Sequence, residues 1–164
     1  MILSRTLLLP WVLTPNDLEL PVPLDLSALT IRTTLALGDG EALVRLLFDI
    51  GWGSATDYQP ERVEAMLLAS TWFAVAEGRG QVLGYVRALS DEVSTTYLAE
   101  IAVAREFQRQ GIGSALLEAA IARFGRTTAV YADAAPAVVG FLERYGLRPR
   151  PEFLVACARA ASAT

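Results

Sequence analysis

The residues with the clearest chemical use are Gln108, Gly111 and Gly113, spaced Gln-x-x-Gly-x-Gly. They fall between an apolar run, Ile101-Ala102-Val103, and a helical pattern that opens within Gln110-Gly111-Ile112-Gly113. The first turn of a helix has unpaired N–H groups and a partial positive charge, so it binds phosphate readily. Glycine there lets the backbone approach an anion with no Cβ in the way. Arg109 adds charge at the rim, and the side-chain amide of Gln108 is placed to hold the loop in shape. Other chemistries are closed. The chain has no histidine and no lysine. That excludes a Ser-His-Asp triad, a Cys-His pair, a His-liganded zinc, a P-loop lysine and a Schiff-base nucleophile. Cys157 is the single cysteine, so no intramolecular disulfide or thiolate metal cluster is expected. It reads as a small buried apolar residue, and no metal is expected.

The elements that must position this loop are legible from periodicity. Leu29 to Leu37 reads as a strand rich in β-branched residues, ending at Gly38-Asp39-Gly40. Asp39 offers a helix N-cap, with Ala42, Leu43, Leu46, Leu47 and Ile50 at helical spacing and Gly51 as the stop. A loop from Gly51 to Tyr58 precedes a second helix, with Pro60 in its first turn and Val63, Met66 and Leu67 on one face. Thr71 to Glu77 and Gln81 to Leu89 form a hairpin around Gly78-Arg79-Gly80. Thr95 to Val103 is the third strand of the meander. Gly111 to Phe124 is a helix with Ile112, Ala115, Leu116, Ala119, Ala120 and Phe124 on one face. Thr128 to Ala132 is a short strand, Ala135 to Tyr145 a helix closed by Gly146, and Phe153 to Ala158 a last strand. The order is β-α-α-β-β-β-α-β-α-β. It predicts an α/β domain with one mixed sheet and helices on both faces.

Two phosphate readings follow. One is a dinucleotide fingerprint. Gly111-x-Gly113 opens a helix, and Asp133 ends the next strand about the ~20 residues on that a ribose contact needs. Leu116 holds the third glycine position, and the motif follows an antiparallel meander, where such a unit usually opens its domain. The other reading is a family likeness. Gln108-x-x-Gly111-x-Gly113 after Ile101-Ala102-Val103 resembles the acetyl-CoA pyrophosphate loop of the GNAT superfamily of N-acetyltransferases. Residues 29–158 follow that family's element order. Phe141-Leu142-Glu143-Arg144-Tyr145-Gly146-Leu147 is similar to its second signature, and Leu83 to Asp91 resembles the hairpin of its small members.

The resemblance implies a GNAT-like acyl-CoA N-acyltransferase fold and acetyl-CoA as co-substrate. The amides of Arg109, Gln110, Gly111, Ile112, Gly113 and Ser114 would cradle the pyrophosphate. Backbone groups of Ile101, Ala102 and Val103 would pair with the pantetheine arm. An amide on this strand would stabilise the oxyanion formed as a substrate amine attacks the thioester directly, with no acyl-enzyme. Glu100 is the candidate base, directly or through a water; the other reading is a solvated carboxylate or a pair with an arginine. Two positions depart from the family. Leu142 stands where a tyrosine commonly protonates the leaving thiolate, and Ala135 where an asparagine is common. Tyr145, three residues on, is the substitute candidate acid, or else a helix-end aromatic. For the acceptor, the loop after the first helix offers Trp52 and Asp57, an aromatic–carboxylate pair suited to an ammonium ligand, with Asp49 and Tyr58 beside it.

The expected function is acetyl transfer from acetyl-CoA to a primary amine, on a small molecule ahead of a peptide or protein amine. A catalytically degenerate acyl-CoA-binding or sensor module is the alternative, motivated by Leu142 and Ala135. Composition agrees. At 164 residues the chain is one domain's worth, and its net charge of −4 speaks against a broad nucleic-acid surface. Apolar residues make up 53% of it, yet no run is long enough for a membrane span. Residues 1–27 read as an apolar arm before a domain at 28–164. Arg5 before Thr6–Leu13 faintly resembles a signal peptide, but Pro10 interrupts it and no A-x-A site follows, so a cytoplasmic location is expected. The arm is a candidate dimerisation element, which would make the chain a homodimer. Fourteen arginines stand for all the basic residues, a composition read as a bacterial GC-rich bias.

Overall fold

A computed structural model describes residues 25–52 and 58–150. Its elements are β1 (Thr30–Arg32), α1 (Asp39–Asp49), α2 (Pro60–Leu68), β2 (Trp72–Gly78), β3 (Gln81–Ser90), β4 (Thr95–Val103), α3 (Ile112–Phe124), β5 (Ala129–Ala132) and α4 (Val139–Glu143). One sheet runs β1-β2-β3-β4-β5, antiparallel at every step except β4 to β5, which is parallel. The central strands β2 and β3 are buried on both faces, as their near-continuous apolar runs require.

Each face has its own core. Leu43, Leu46 and Leu47 of α1 and Val63 and Leu67 of α2 pack on Phe73, Val75, Tyr85 and Ala102. On the other face Ile112, Leu116, Leu117, Ala120 and Phe124 of α3 pack on Ala74, Ala76, Val86, Ala88 and Leu98. Leu116 and Leu117 are both fully buried; sequence periodicity had picked out only the first. Burying a leucine of this kind stabilises by about 1.5–3 kcal/mol. The α3 face matters to the site because it fixes where the first turn of α3 points.

Three local differences from the periodicity have physical causes. The first strand is three residues, not nine, because Arg32 turns back. Its guanidinium pairs with Asp39 at 2.6 Å and Glu77 at 2.9 Å and donates to the Thr34 carbonyl, folding residues 33–38 into a loop. Asp39 is therefore not the N-cap of α1. Its buried carboxylate takes the Arg32 donors and the Ala36 N–H at 2.7 Å, and Gly38 caps in the left-handed region with φ +88°. The last helix is shorter than expected. Ala135 precedes Pro136 and is extended, so the segment starts as a 3₁₀ turn over Pro136–Val138 before α4. The expected final strand at 153–158, Cys157, and all but the last three residues of the N-terminal arm lie outside the described residues. Among the described residues no helix is long and apolar enough to cross a membrane.

Candidate active site

The site is built on a bulge in β4. Arg87 lies opposite Glu100 and Ala88 opposite Leu98, so Ala99 is an extra residue in β4. β5 pairs with β4 only over Thr95–Leu98. Past the bulge, residues 100–103 keep β3 as their one strand partner, and their other edge is unpaired among the described residues. The Ala104 N–H donates to the Leu83 carbonyl at 3.0 Å. Antiparallel alternation then turns the polar groups of Ala102 and Glu100 toward β3 and those of Ile101 and Val103 toward the open edge. Such an edge can take an extended chain as an added strand. The Val103 carbonyl already accepts the Gln108 side-chain amide at 2.9 Å, which ties the following loop to the strand end.

That loop is shaped for close approach. Residues 105–107 make a 3₁₀ turn anchored by buried Phe107. Arg109 is left-handed at φ 64°, and Gly111, the N-cap of α3, is left-handed at φ 91°. The first α3 bond runs from the Ala115 N–H to the Gly111 carbonyl, so the amides just before Ala115 have no partner within the helix. No side chain caps this end and no acid sits in its first turn, so its positive pole is uncompensated by its own residues. A methyl on Gly113 would make only ordinary contact with Phe141 and Val103, at 3.7 and 3.8 Å. The predicted loop thus follows the predicted strand directly and is tied to its end by Gln108.

Glu100 lies at the bulge, on the α1/α2 face. Its Oε2 accepts from the Tyr85 hydroxyl at 2.7 Å and Arg87 Nε at 2.9 Å, and its Oε1 accepts from Arg87 Nη2 at 3.1 Å. The pair is about four-fifths buried. Burial first, then the Glu100 charge and hydrogen bond, push the Tyr85 phenol well above its usual range, so it stays a donor. The hydrogen bond to Glu100 likewise strengthens the Arg87 charge against desolvation. Of the two alternatives to a base role, the structure shows the arginine pair. A carboxylate has about four acceptor positions, and three are used. One remains for an amine or a water. Sequence alone gives Arg87 as a hairpin or surface contact ahead of a lining residue of the acceptor channel, and does not single out Tyr85; the bulge sets Arg87 opposite Glu100 and Tyr85 opposite Ala102, and no local spacing announces it.

Tyr145 is on the opposite face. Its ring packs edge-on against Phe141 at 5.5 Å, and its hydroxyl donates to Glu118 at 3.2 Å. Leu142 is buried in the α3 core. The sheet separates the Glu100 face from the Tyr145 face. Trp52 is 40% exposed at the end of α1. Asp57 lies outside the described residues. Asp49 is engaged: it accepts the Arg105 N–H at 2.6 Å, and its carbonyl takes Arg105 Nε, tying α1 to the loop that precedes α3. Among the described residues no group of three or more acidic or cysteine side chains could hold a metal.

Residues 42–147 match the model of the Acetyltransferase (GNAT) family. A GNAT family acetyltransferase from Streptococcus pneumoniae superposes with TM-score 0.64 at 23% identity, over 80% of this chain and 99% of that one. A structure described as an acetyltransferase from Deinococcus radiodurans gives 0.66 at 27% identity, over 80% and 90%. An aminoglycoside acetyltransferase from an uncultured soil sample, solved with sisomicin, gives 0.57 at 19% identity, over 84% and 98%. A sequence comparison with curated proteins gives no match.

Proposed function

The chain belongs to the GNAT acetyltransferase family, and from that premise we propose that it moves acetyl from acetyl-CoA to a primary amine, on a small molecule ahead of a peptide or protein. The observation that carries the proposal is the open edge of β4 running into the left-handed turn at Arg109 and Gly111. Acetyl-CoA, when bound, supplies an acyl group activated as a thioester. Ile101, Ala102 and Val103 receive its pantetheine arm, with Ile101 and Val103 facing the open edge. The backbone amides from Arg109 to Ser114 hold the pyrophosphate, and Gln108 keeps the loop against Val103. The Ile101 N–H faces the side where the carbonyl oxygen becomes an oxyanion.

Glu100 takes a proton from the acceptor ammonium through its remaining acceptor position, directly or by way of a water, and the freed amine attacks. The new bond joins the amine nitrogen to the acyl carbon, the carbon–sulfur bond breaks, and the thiolate leaves with the sulfur's electron pair. Tyr145 is the proposed donor to that thiolate, from the α4 face; a thiolate of pKa ~8.5 also leaves unaided and takes a proton from water. Trp52 and Asp57 are proposed acceptor contacts. Residues 1–27 are proposed as an arm that pairs two copies, in a cytoplasmic protein. Deleting the arm and measuring mass in solution tests the pairing.

Calorimetric titration with acetyl-CoA, against NAD as control, tests the reading. Micromolar binding that Gly111→Glu abolishes supports it. Binding of NAD alone restores the dinucleotide reading. A second reading, an acyl-CoA sensor without turnover, draws on Leu142, which is buried where the family resemblance puts a proton donor. Binding of acetyl-CoA with no acetylation across an amine panel would favour it.

A further inference from the structure

We propose that Tyr97, Tyr131 and Asp133 recognise the acceptor, and that the acceptor is a primary ammonium on an apolar, preferably aromatic, body; this rests on the acetyl-transfer reading above. The register sets Leu89 opposite Tyr97 and Tyr97 opposite Tyr131, a row across β3, β4 and β5. The row shares a face with Arg87 and Glu100, because Arg87 and Leu89 are two apart on β3. Helices α1 and α2 cover that face elsewhere, over Phe73, Val75, Tyr85 and Ala102. They leave the row open: Leu89 is 42% and Tyr131 39% exposed.

Charge then picks the ligand. Glu100 is balanced by Arg87. Arg148 and Arg150 line one cavity with Tyr131 and Asp133, yet Asp133 makes no ion pair among the described residues. The Tyr97 hydroxyl donates to its Oδ2 at 2.8 Å, so the carboxylate is oriented by a neutral group. That same bond, before burial, raises the Tyr97 phenol above its usual range and keeps it a donor. An exposed anion beside two phenol rings offers an ion contact and ring faces to a cation with an apolar body. The row begins beside the bulge at Ala99, where β4 parts from β5. An ammonium held there lies on the face that carries Glu100, on the other side of the bulge from it.

The test is direct binding of 2-phenylethylamine to the full chain by calorimetry, with 2-phenylethanol and ethylamine as neutral and bodiless controls. Stronger binding of 2-phenylethylamine than of either control is expected. Asp133→Asn should weaken it about tenfold or more. Tyr131→Ala should shrink its advantage over ethylamine. Neither variant should change the acetyl-CoA affinity or the melting temperature. Equal binding of 2-phenylethanol, or unchanged affinity in Asp133→Asn with the fold intact, overturns the proposal. Failure of acetyl-CoA to bind is read in a separate titration and overturns the cofactor reading, while the amine titration still decides this one.

Discussion

Gly84 on β3 sets the distance between β3 and the working part of β4, so Gly84→Ala should damage both stability and cofactor binding. A Cβ there would lie 2.6 Å from the Ala102 carbonyl oxygen and 3.2 Å from Leu116 Cδ1 and Val103 Cγ2. The two side chains can yield, but the carbonyl is backbone. Cβ contacts under 3.0 Å are essentially never seen, so the strands must part by at least about 0.4 Å there. Overpacking costs about 1–3 kcal/mol, and the backbone clash puts this case toward the upper end. Alanine recovers about 0.4–1 kcal/mol by restricting the unfolded chain. The net loss is about 1–2.5 kcal/mol, a fall in melting temperature of roughly 3–8 °C for a chain of this size. Ala102 lies between Ile101 and Val103, which form the open edge, so the same shift displaces the cofactor contacts. Acetyl-CoA affinity should fall several-fold, since small misplacements are expensive at a reacting site. Thermal melting and calorimetry on one preparation read both effects. A melting temperature within about 1 °C of wild type, with unchanged affinity, would refute the claim that this contact spaces the edge.

Other substitutions probe separate parts. Gly111→Ala forces a side chain into φ +91° and toward Leu26 Cδ1 at 2.9 Å; about 1–2 kcal/mol of stability should go, read by melting, with weaker acetyl-CoA binding by calorimetry. Tyr85→Phe removes a hydrogen bond to a charged group, worth about 1.5–3 kcal/mol. It should lower kcat and move its pH profile while acetyl-CoA affinity holds, and an unmoved profile would count against Glu100 as the base. Asp91 accepts from the Ser94 hydroxyl and from the backbone N–H groups of Thr95, Val93 and Ser94, which hold its carboxyl well below the usual range. A carboxyl lowered on folding stabilises above its unfolded pKa of ~3.9 and loses that contribution as pH falls toward its folded value. Asp91→Asn should therefore melt lower than wild type at pH 7, and the gap should close in strong acid. A gap independent of pH would place the effect elsewhere than in the charge.

What was legible in the sequence was what the chain encodes locally. The bounds of β4 came out to the residue because β-branched alternation ends there at a turn on one side and a loop on the other. The α3 start and its glycines were legible for the same reason. What was hidden depends on residues far apart. Glu100 finds Arg87 and Tyr85 only because one extra residue at Ala99 resets the register, and a bulge has no composition of its own. Asp49 reads as an acceptor-site acid until Arg105, 56 residues away, is seen to take it. Asp39 looks like a cap until Arg32 claims it. For Glu100 and Asp39 burial made a partner obligatory, whereas Asp49 is exposed and its tie to Arg105 is a surface contact. The C-terminal signature joins both kinds of information. Phe141 reaches Gly113 at the mouth of the loop, and the helical step of about 100° then sends Leu142 into the core. Tyr145, one turn beyond Phe141, returns to its side and packs edge-on against it. Helix phase therefore disfavours a hydroxyl at 142 and permits one at 145, a conclusion that needed the packing of α4 and not its sequence alone.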